Sequence, residues 1–267
     1  MGKIVAFANQ KGGVGKTTTC INLASYLSAM GKKVLVVDMD SQGNATSGLG
    51  VDKNTDLATL YDAICRDSEP ADIVQQTSWK NLDIIPATVD LAGAEIELVG
   101  MKNREHVVKK ILDNIKDEYN YVLIDCPPSL GLLTVNALTA SDSVVIPIQC
   151  EFFALEGLSQ LMNTIKLVKK HLNENIDVEG VILTMKDNRS NLIKEVSDEI
   201  KRYFGKKVYK TSIPRTVRLA EAPSHGKPIS DYDPSGKGGQ AYLELTKEFL
   251  KRNKDAPKTI VLRNFYK

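Results

Sequence analysis

The chain has 267 residues, of which 42% are hydrophobic and 25% charged, so it is long enough to bury a core without disulfide or metal staples. A formal charge of +2 excludes a polycation, and any nucleic-acid surface must therefore be local. Cys20, Cys65, Cys126 and Cys150 form no CxxC pair and have no histidine cluster beside them, which favours reduced, packed thiols in a cytosolic protein over a metal or disulfide framework.

From the N-terminus, Ile4 to Ala8 is an unbroken apolar run. It predicts a central parallel strand buried on both faces, rather than a signal peptide. Gly12 to Gly15 form a turn, and Thr17 to Met30 read as a helix stopped by Gly31. Val34 to Val37 predicts a second buried strand. Helix over Leu57–Cys65, strand over Leu82–Ile85 and helix over Arg104–Ile115 follow. Tyr121 to Ile124 predicts a strand ending at Asp125, and Ser143 to Ile148 another. An amphipathic helix over Leu155–His171, a strand over Val178–Thr184, a helix over Leu192–Phe204 and a strand around Val208 continue the alternation. A helix over Ala241–Leu250 closes it.

This order predicts one α/β domain with a mostly parallel, twisted sheet and helices on both faces. The expected division is residues 1–252 for the domain and 253–267 for a basic tail. No apolar run approaches the ~20 residues of a membrane span. Ligands of such sheets bind beyond the carboxyl ends of the strands.

The strongest motif is Gln10-Lys11-Gly12-Gly13-Val14-Gly15-Lys16-Thr17-Thr18, between a predicted strand and helix as a phosphate loop requires. Glycines let backbone N–H groups turn toward phosphate oxygens, and the helix N-terminus adds its dipole. Lys16 is expected at the β- and γ-phosphates and Thr17 at Mg²⁺. The standard pattern GxxxxGK(S/T) has glycine where this chain has Gln10, and a second lysine, Lys11, follows. Val34-Leu35-Val36-Val37-Asp38-Met39-Asp40 delivers two carboxylates at a strand end, on the same side if the chain stays extended. Val122-Leu123-Ile124-Asp125-Cys126-Pro127-Pro128 delivers a third, the one expected in the Mg²⁺ shell.

The deviant loop KGGxGK(S/T), in the run ANQKGGVGKTTTCINLA, resembles the ParA/MinD group of ATPases. LVVDMDSQGNATSGLG and PRTVRLAEAPSHGKPI narrow the resemblance to the short ParA/Soj branch, over about residues 2–252. Ser41 stands where that family usually has proline. The resemblance implies an ATP- and Mg²⁺-dependent ATPase. Lys11 crosses a homodimer interface to the partner's ATP, Asp40 positions the attacking water and Asp38 supports the metal site. Gly12 to Thr18 hold the nucleotide, and Met185 and Pro214 line the adenine.

It also implies nonspecific double-stranded DNA binding through Arg189 and Arg218, a ParB-type centromere-binding partner, and a cytoplasmic, nucleoid-associated protein with no stable membrane insertion. By charge alone, the basic residues between 186 and 227 are equally compatible with a solvated surface, because Glu195, Asp198 and Glu199 interrupt them. Three alternatives stay open. One is a MinD-like membrane ATPase positioning the division site, using Ile260, Val261, Leu262 and Phe265 of the tail. Another is a ParA-like positioner of a different cellular cargo. The third is a metabolic or iron–sulfur relative, for which no second suitable cysteine accompanies Cys126.

Overall fold

The computed structural model describes residues 2–151, 153–186 and 191–255. Seven strands form one sheet: β1 (Lys3–Phe7), β2 (Val34–Asp38), β3 (Gln75–Gln76), β4 (Leu82–Ile85), β5 (Tyr121–Asp125), β6 (Ser143–Gln149) and β7 (Asp177–Thr184). Their order is β3-β4-β2-β5-β1-β6-β7. All neighbours are parallel except β3 with β4. The central strands read as continuous apolar runs because both faces are covered.

Alternation along each strand builds two cores. Ile4, Leu35, Val122 and Val144 face one, and Val5, Val34, Val36 and Leu123 face the other. The first core is covered by α3 (Leu60–Cys65), α4 (Leu91–Val99), α5 (Val107–Asp113), α6 (Leu132–Ala140), α7 (Ala154–His171) and α8 (Asn191–Phe204). The second is covered by α1 (Lys16–Ala29), α2 (Asn44–Gly48), α9 (Val217–Glu221), α10 (Ile229–Tyr232) and α11 (Lys237–Arg252).

The expected fold class holds, with differences of detail. α3 begins at Leu60, not Leu57, because the backbone N–H and hydroxyl of Thr59 both donate to Asp62 (2.8 and 3.0 Å), closing the helix start there. The helix expected over Arg104–Ile115 is a 3₁₀ turn at Arg104–His106 followed by α5. Val208 makes only an isolated bridge to Val181 and no strand. The sequence pattern does not predict α4, α6 or the two-residue β3. Asn253 donates to Glu179 at 2.9 Å, and Asp255 accepts from Lys32 and Tyr121. The chain therefore stays against the body beyond residue 252. Among the described residues, no helix is long and apolar enough to cross a membrane.

Candidate functional site

β2, β5 and β1 lie side by side, so their carboxyl ends open onto one edge. β1 runs into the loop that ends at α1. Gly13 and Gly15 take φ of 72° and 85°, a left-handed conformation that side chains resist. Gly15 is the N-cap of α1 and offers no side-chain acceptor. The first-turn N–H groups of a 14-residue helix are thus left for an anion. The Thr184 hydroxyl at the end of β7 donates to the Val14 carbonyl at 2.8 Å, tying the loop to the sheet.

Lys16 is 6% exposed. Its Nζ donates to the Lys11 carbonyl at 3.3 Å, inside the loop. Burial pulls its ammonium pKa below the ordinary value, while Asp125, Cys126 and Asp40 pull the other way. Among the described residues, no carboxylate pairs directly with Lys16. It is a buried cation in the state that a phosphate would relieve.

Asp38 and Asp125 are register partners at the ends of β2 and β5, both fully buried. Their environments differ. Asp38 Oδ2 accepts from the Thr46 N–H and hydroxyl, both at 2.8 Å, and Oδ1 accepts from the Asp40 N–H at 3.1 Å. Burial nevertheless raises its pKa from the ordinary 3.8 to about 6. Among the described residues, neither oxygen of Asp125 has a hydrogen-bond partner. Burial first, then the charge of Asp38, pushes its carboxyl well above the usual range. The Thr17 hydroxyl is near enough to ease that shift without reaching hydrogen-bond geometry.

Asp40 sits in a tight turn. Its Oδ1 accepts from Gln42 N–H at 3.0 Å and its carbonyl from Gly43 N–H at 2.8 Å. An orphaned carboxylate beside a threonine hydroxyl is a hard oxygen pair suited to Mg²⁺. Among the described residues, no three His, Cys, Asp or Glu side chains form a metal cluster.

The loop walls a cleft of about 560 Å³ that includes Gly12, Gly13, Gly15, Lys16, Thr17, Thr18 and Asp40. A second cavity of about 220 Å³ adjoins it, sharing Gly15, Thr18 and Met185 and adding Ile213, Pro214 and Tyr242. Met185 has φ of 50°, and Lys186 bridges Pro214. These contacts place Met185 and Pro214 in one wall of that cavity.

Lys11 lines neither cavity: its carbonyl meets Lys16, while its side chain places the ammonium on Glu151 of the same chain. Arg218 lies on α9. It donates to Glu221 at 3.1 Å and lies over the Tyr232 ring at 5.8 Å. Arg189 lies outside the described residues. Sequence reasoning misses Thr46, which holds Asp38, and Glu151, which holds Lys11. The first sits in the SQGNAT run; the second has no local signal.

The AAA domain family (AAA_31) matches residues 2–178. The sporulation initiation inhibitor protein Soj of Bacillus subtilis is 61% identical over 93% of this chain and 98% of its own length. The chromosome partitioning protein ParA of Myxococcus xanthus is 51% identical over 97% and 91%. Among solved structures, cobyrinic acid a,c-diamide synthase from Mycobacterium smegmatis, with bound ATP analogue and magnesium, superposes with a TM-score of 0.83. It is 33% identical and covers 100% of this chain and 99% of that one.

Proposed function

The chain belongs to the ParA/Soj family of P-loop ATPases, and on that premise we propose that it is an ATP-gated switch for DNA segregation. The observation that carries this reading is the orphaned Asp125 carboxylate beside a glycine loop whose helix N-terminus has no side-chain cap. That pairing suits a nucleotide triphosphate with its metal.

In this reading the loop N–H groups and Lys16 hold the β- and γ-phosphates. Met185 and Pro214 flank the adenine. Thr17 and Asp125 would hold Mg²⁺, which would neutralise phosphate charge when bound. Asp38 acts through others: its oxygens are taken by Thr46 and by the Asp40 N–H. It therefore fixes the turn in which Asp40 orients the attacking water. Lys11 leaves Glu151 and reaches the nucleotide of a second copy, so that closure depends on the γ-phosphate. The closed homodimer binds double-stranded DNA through phosphates, with Arg218 and Arg189 in its basic face, and hydrolysis, stimulated by a ParB-type partner, releases it. The chain then works in the cytoplasm, on the nucleoid.

The test is sizing with ATP and Mg²⁺, together with phosphate release. Asp40→Ala should bind ATP, remain dimeric and turn over at least about a hundredfold more slowly, as expected when a water-orienting group is removed. Lys11→Ala should stay monomeric with ATP. Wild-type turnover by Asp40→Ala, or an ATP-dependent dimer of Lys11→Ala, would overturn the respective role.

A further inference from the structure

Thr46 is fully buried in the middle of α2, and its hydroxyl is used twice. Its proton goes to Asp38 Oδ2 at 2.8 Å, and its oxygen accepts from the Ala87 N–H at 3.0 Å. A hydroxyl carries one proton and two lone pairs. An amide N–H can only donate, so Ala87 takes a lone pair and leaves the proton to Asp38. The direction of the hydroxyl is thereby set from outside. The Thr46 N–H donates to the same Oδ2 at 2.8 Å, so backbone and side chain of one residue grip one carboxylate oxygen.

Ala87 is a firm support for that grip. It is buried two residues beyond the end of β4, the strand beside β2, so Thr46 spans the carboxyl ends of two neighbouring strands. The Ala87 carbonyl faces the same segment: a Cβ on Gly43, whose φ is 60°, would stand 2.5 Å from its oxygen. α2 has five residues and a glycine N-cap without a side-chain bond, too short to hold its own place by helix propensity. The close approach to Ala87 and the bonds to Asp38 place it instead. The other Asp38 oxygen, Oδ1, accepts from the Asp40 N–H at 3.1 Å. The chain of bonds thus runs from Ala87 through Thr46 and Asp38 to Asp40, and of these four only Asp40 lines the phosphate-loop cleft.

We propose that Thr46 is a positioning residue for hydrolysis: its hydroxyl, aimed by Ala87, keeps the Asp38 carboxylate from turning and so holds the turn in which Asp40 orients the attacking water. This rests on the ATPase reading above. A carboxylate gripped at that oxygen by a backbone N–H alone can swing about its own axis, and such a swing takes Oδ1 off the Asp40 N–H. Thr46→Val keeps the volume, removes the hydroxyl bond to Asp38 and leaves the Ala87 N–H buried without that acceptor. Thr46→Ser keeps both bonds. Neither variant removes a group from the cleft, so the loss falls on orientation rather than on nucleotide binding.

The test is single-turnover phosphate release at saturating ATP and Mg²⁺, with ATP affinity measured separately by calorimetry. Thr46→Val should lower the rate about tenfold or more and change ATP affinity by less than about threefold. Thr46→Ala, which removes the same hydroxyl with less bulk, should fall with it. Thr46→Ser should keep at least about half of the wild-type rate. In an Asp40→Ala background, Thr46→Val should change the residual rate by less than about twofold, because a residue acting through Asp40 has nothing left to position. Thermal unfolding checks that each variant is folded at the assay temperature. A wild-type rate in Thr46→Val, a Thr46→Ser variant no faster than Thr46→Val, or an equal loss in both backgrounds would overturn the proposal and leave the ATPase reading in place. A loss of ATP affinity as large as the loss of rate would also overturn it, since that marks a general loosening of the site. A wild type that binds ATP without hydrolysing it would overturn both.

Discussion

At the scale of single residues, the site is built from carboxylates held where they are costly. Asp38 has a folded pKa of about 6 against an ordinary 3.8. Below the lower value both folded and unfolded chains are protonated there and no penalty exists. As pH rises between the two values the unfolded chain ionises first, so stability falls, and above the higher value the penalty is complete. Urea unfolding of the nucleotide-free protein should therefore show stability declining by roughly 2–3 kcal/mol from this group across that window. Asp125 shifts in the same direction, for the same reason of burial, and adds to the decline. Asp38→Asn should flatten the decline between about pH 4 and 6, whatever its effect on absolute stability. A wild-type profile that rises through that window would contradict the buried-acid account. Asp125 and Lys16 are legible in the sequence because strand-then-Asp and the glycine loop are local patterns. That Asp38 is tied to Thr46 while Asp125 is left bare is not, because the bonds depend on where the chain folds back.

At the scale of elements, the buried strands are legible and two helices are not. A strand covered on both faces is a plain apolar run. α6 is nearly all buried and α4 is apolar on both sides, so neither shows the one-sided periodicity that marks a helix in sequence. The sequence predicts α11 from Ala241, yet the helix starts at Lys237. Gly238 and Gly239 argue against a helix by propensity, but close packing explains them. A Cβ on Gly239 would lie 2.4 Å from the Asp233 carbonyl oxygen and 2.6 Å from that of Pro234. Gly239→Ala should thus destabilise the protein by about 1–3 kcal/mol. It should also weaken ATP binding if the Met185–Pro214 cavity takes the base as proposed, because Tyr242 one turn on meets Thr19 of α1 at 3.2 Å and lines that cavity. Gly157→Ala in α7, where no described atom beyond its chain neighbours and its own helix backbone lies within 4 Å of the added carbon, should be neutral or stabilising by up to about 1 kcal/mol. Denaturant midpoints for the two variants check both signs, and equal destabilisation would refute the role of close packing.

At the scale of the whole molecule, nearly neutral net charge means that the proposed DNA binding would rest on a few placed cations. Arg218 is exposed, paired with Glu221 and laid over Tyr232. If it meets phosphate in the closed dimer, Arg218→Ala should reduce the salt slope by about 1 for each phosphate that a subunit no longer neutralises, equally on unrelated duplexes. Glu221→Gln should act oppositely, freeing the guanidinium and tightening binding. Salt titrations with ATP on two duplexes read both, and an unchanged slope in both variants would remove Arg218 from the DNA face. The attachment of Asp255 to Lys32 and Tyr121 has a practical corollary. Tyr121 opens β5, whereas Asp125 closes it, so residue 255 stands at the rear of the sheet, about 13 Å of strand from Asp125. A fluorophore or affinity handle joined at residue 255 itself begins on the side away from the carboxyl ends of β1, β2 and β5, and immobilising the protein through that point leaves the loop facing free solution.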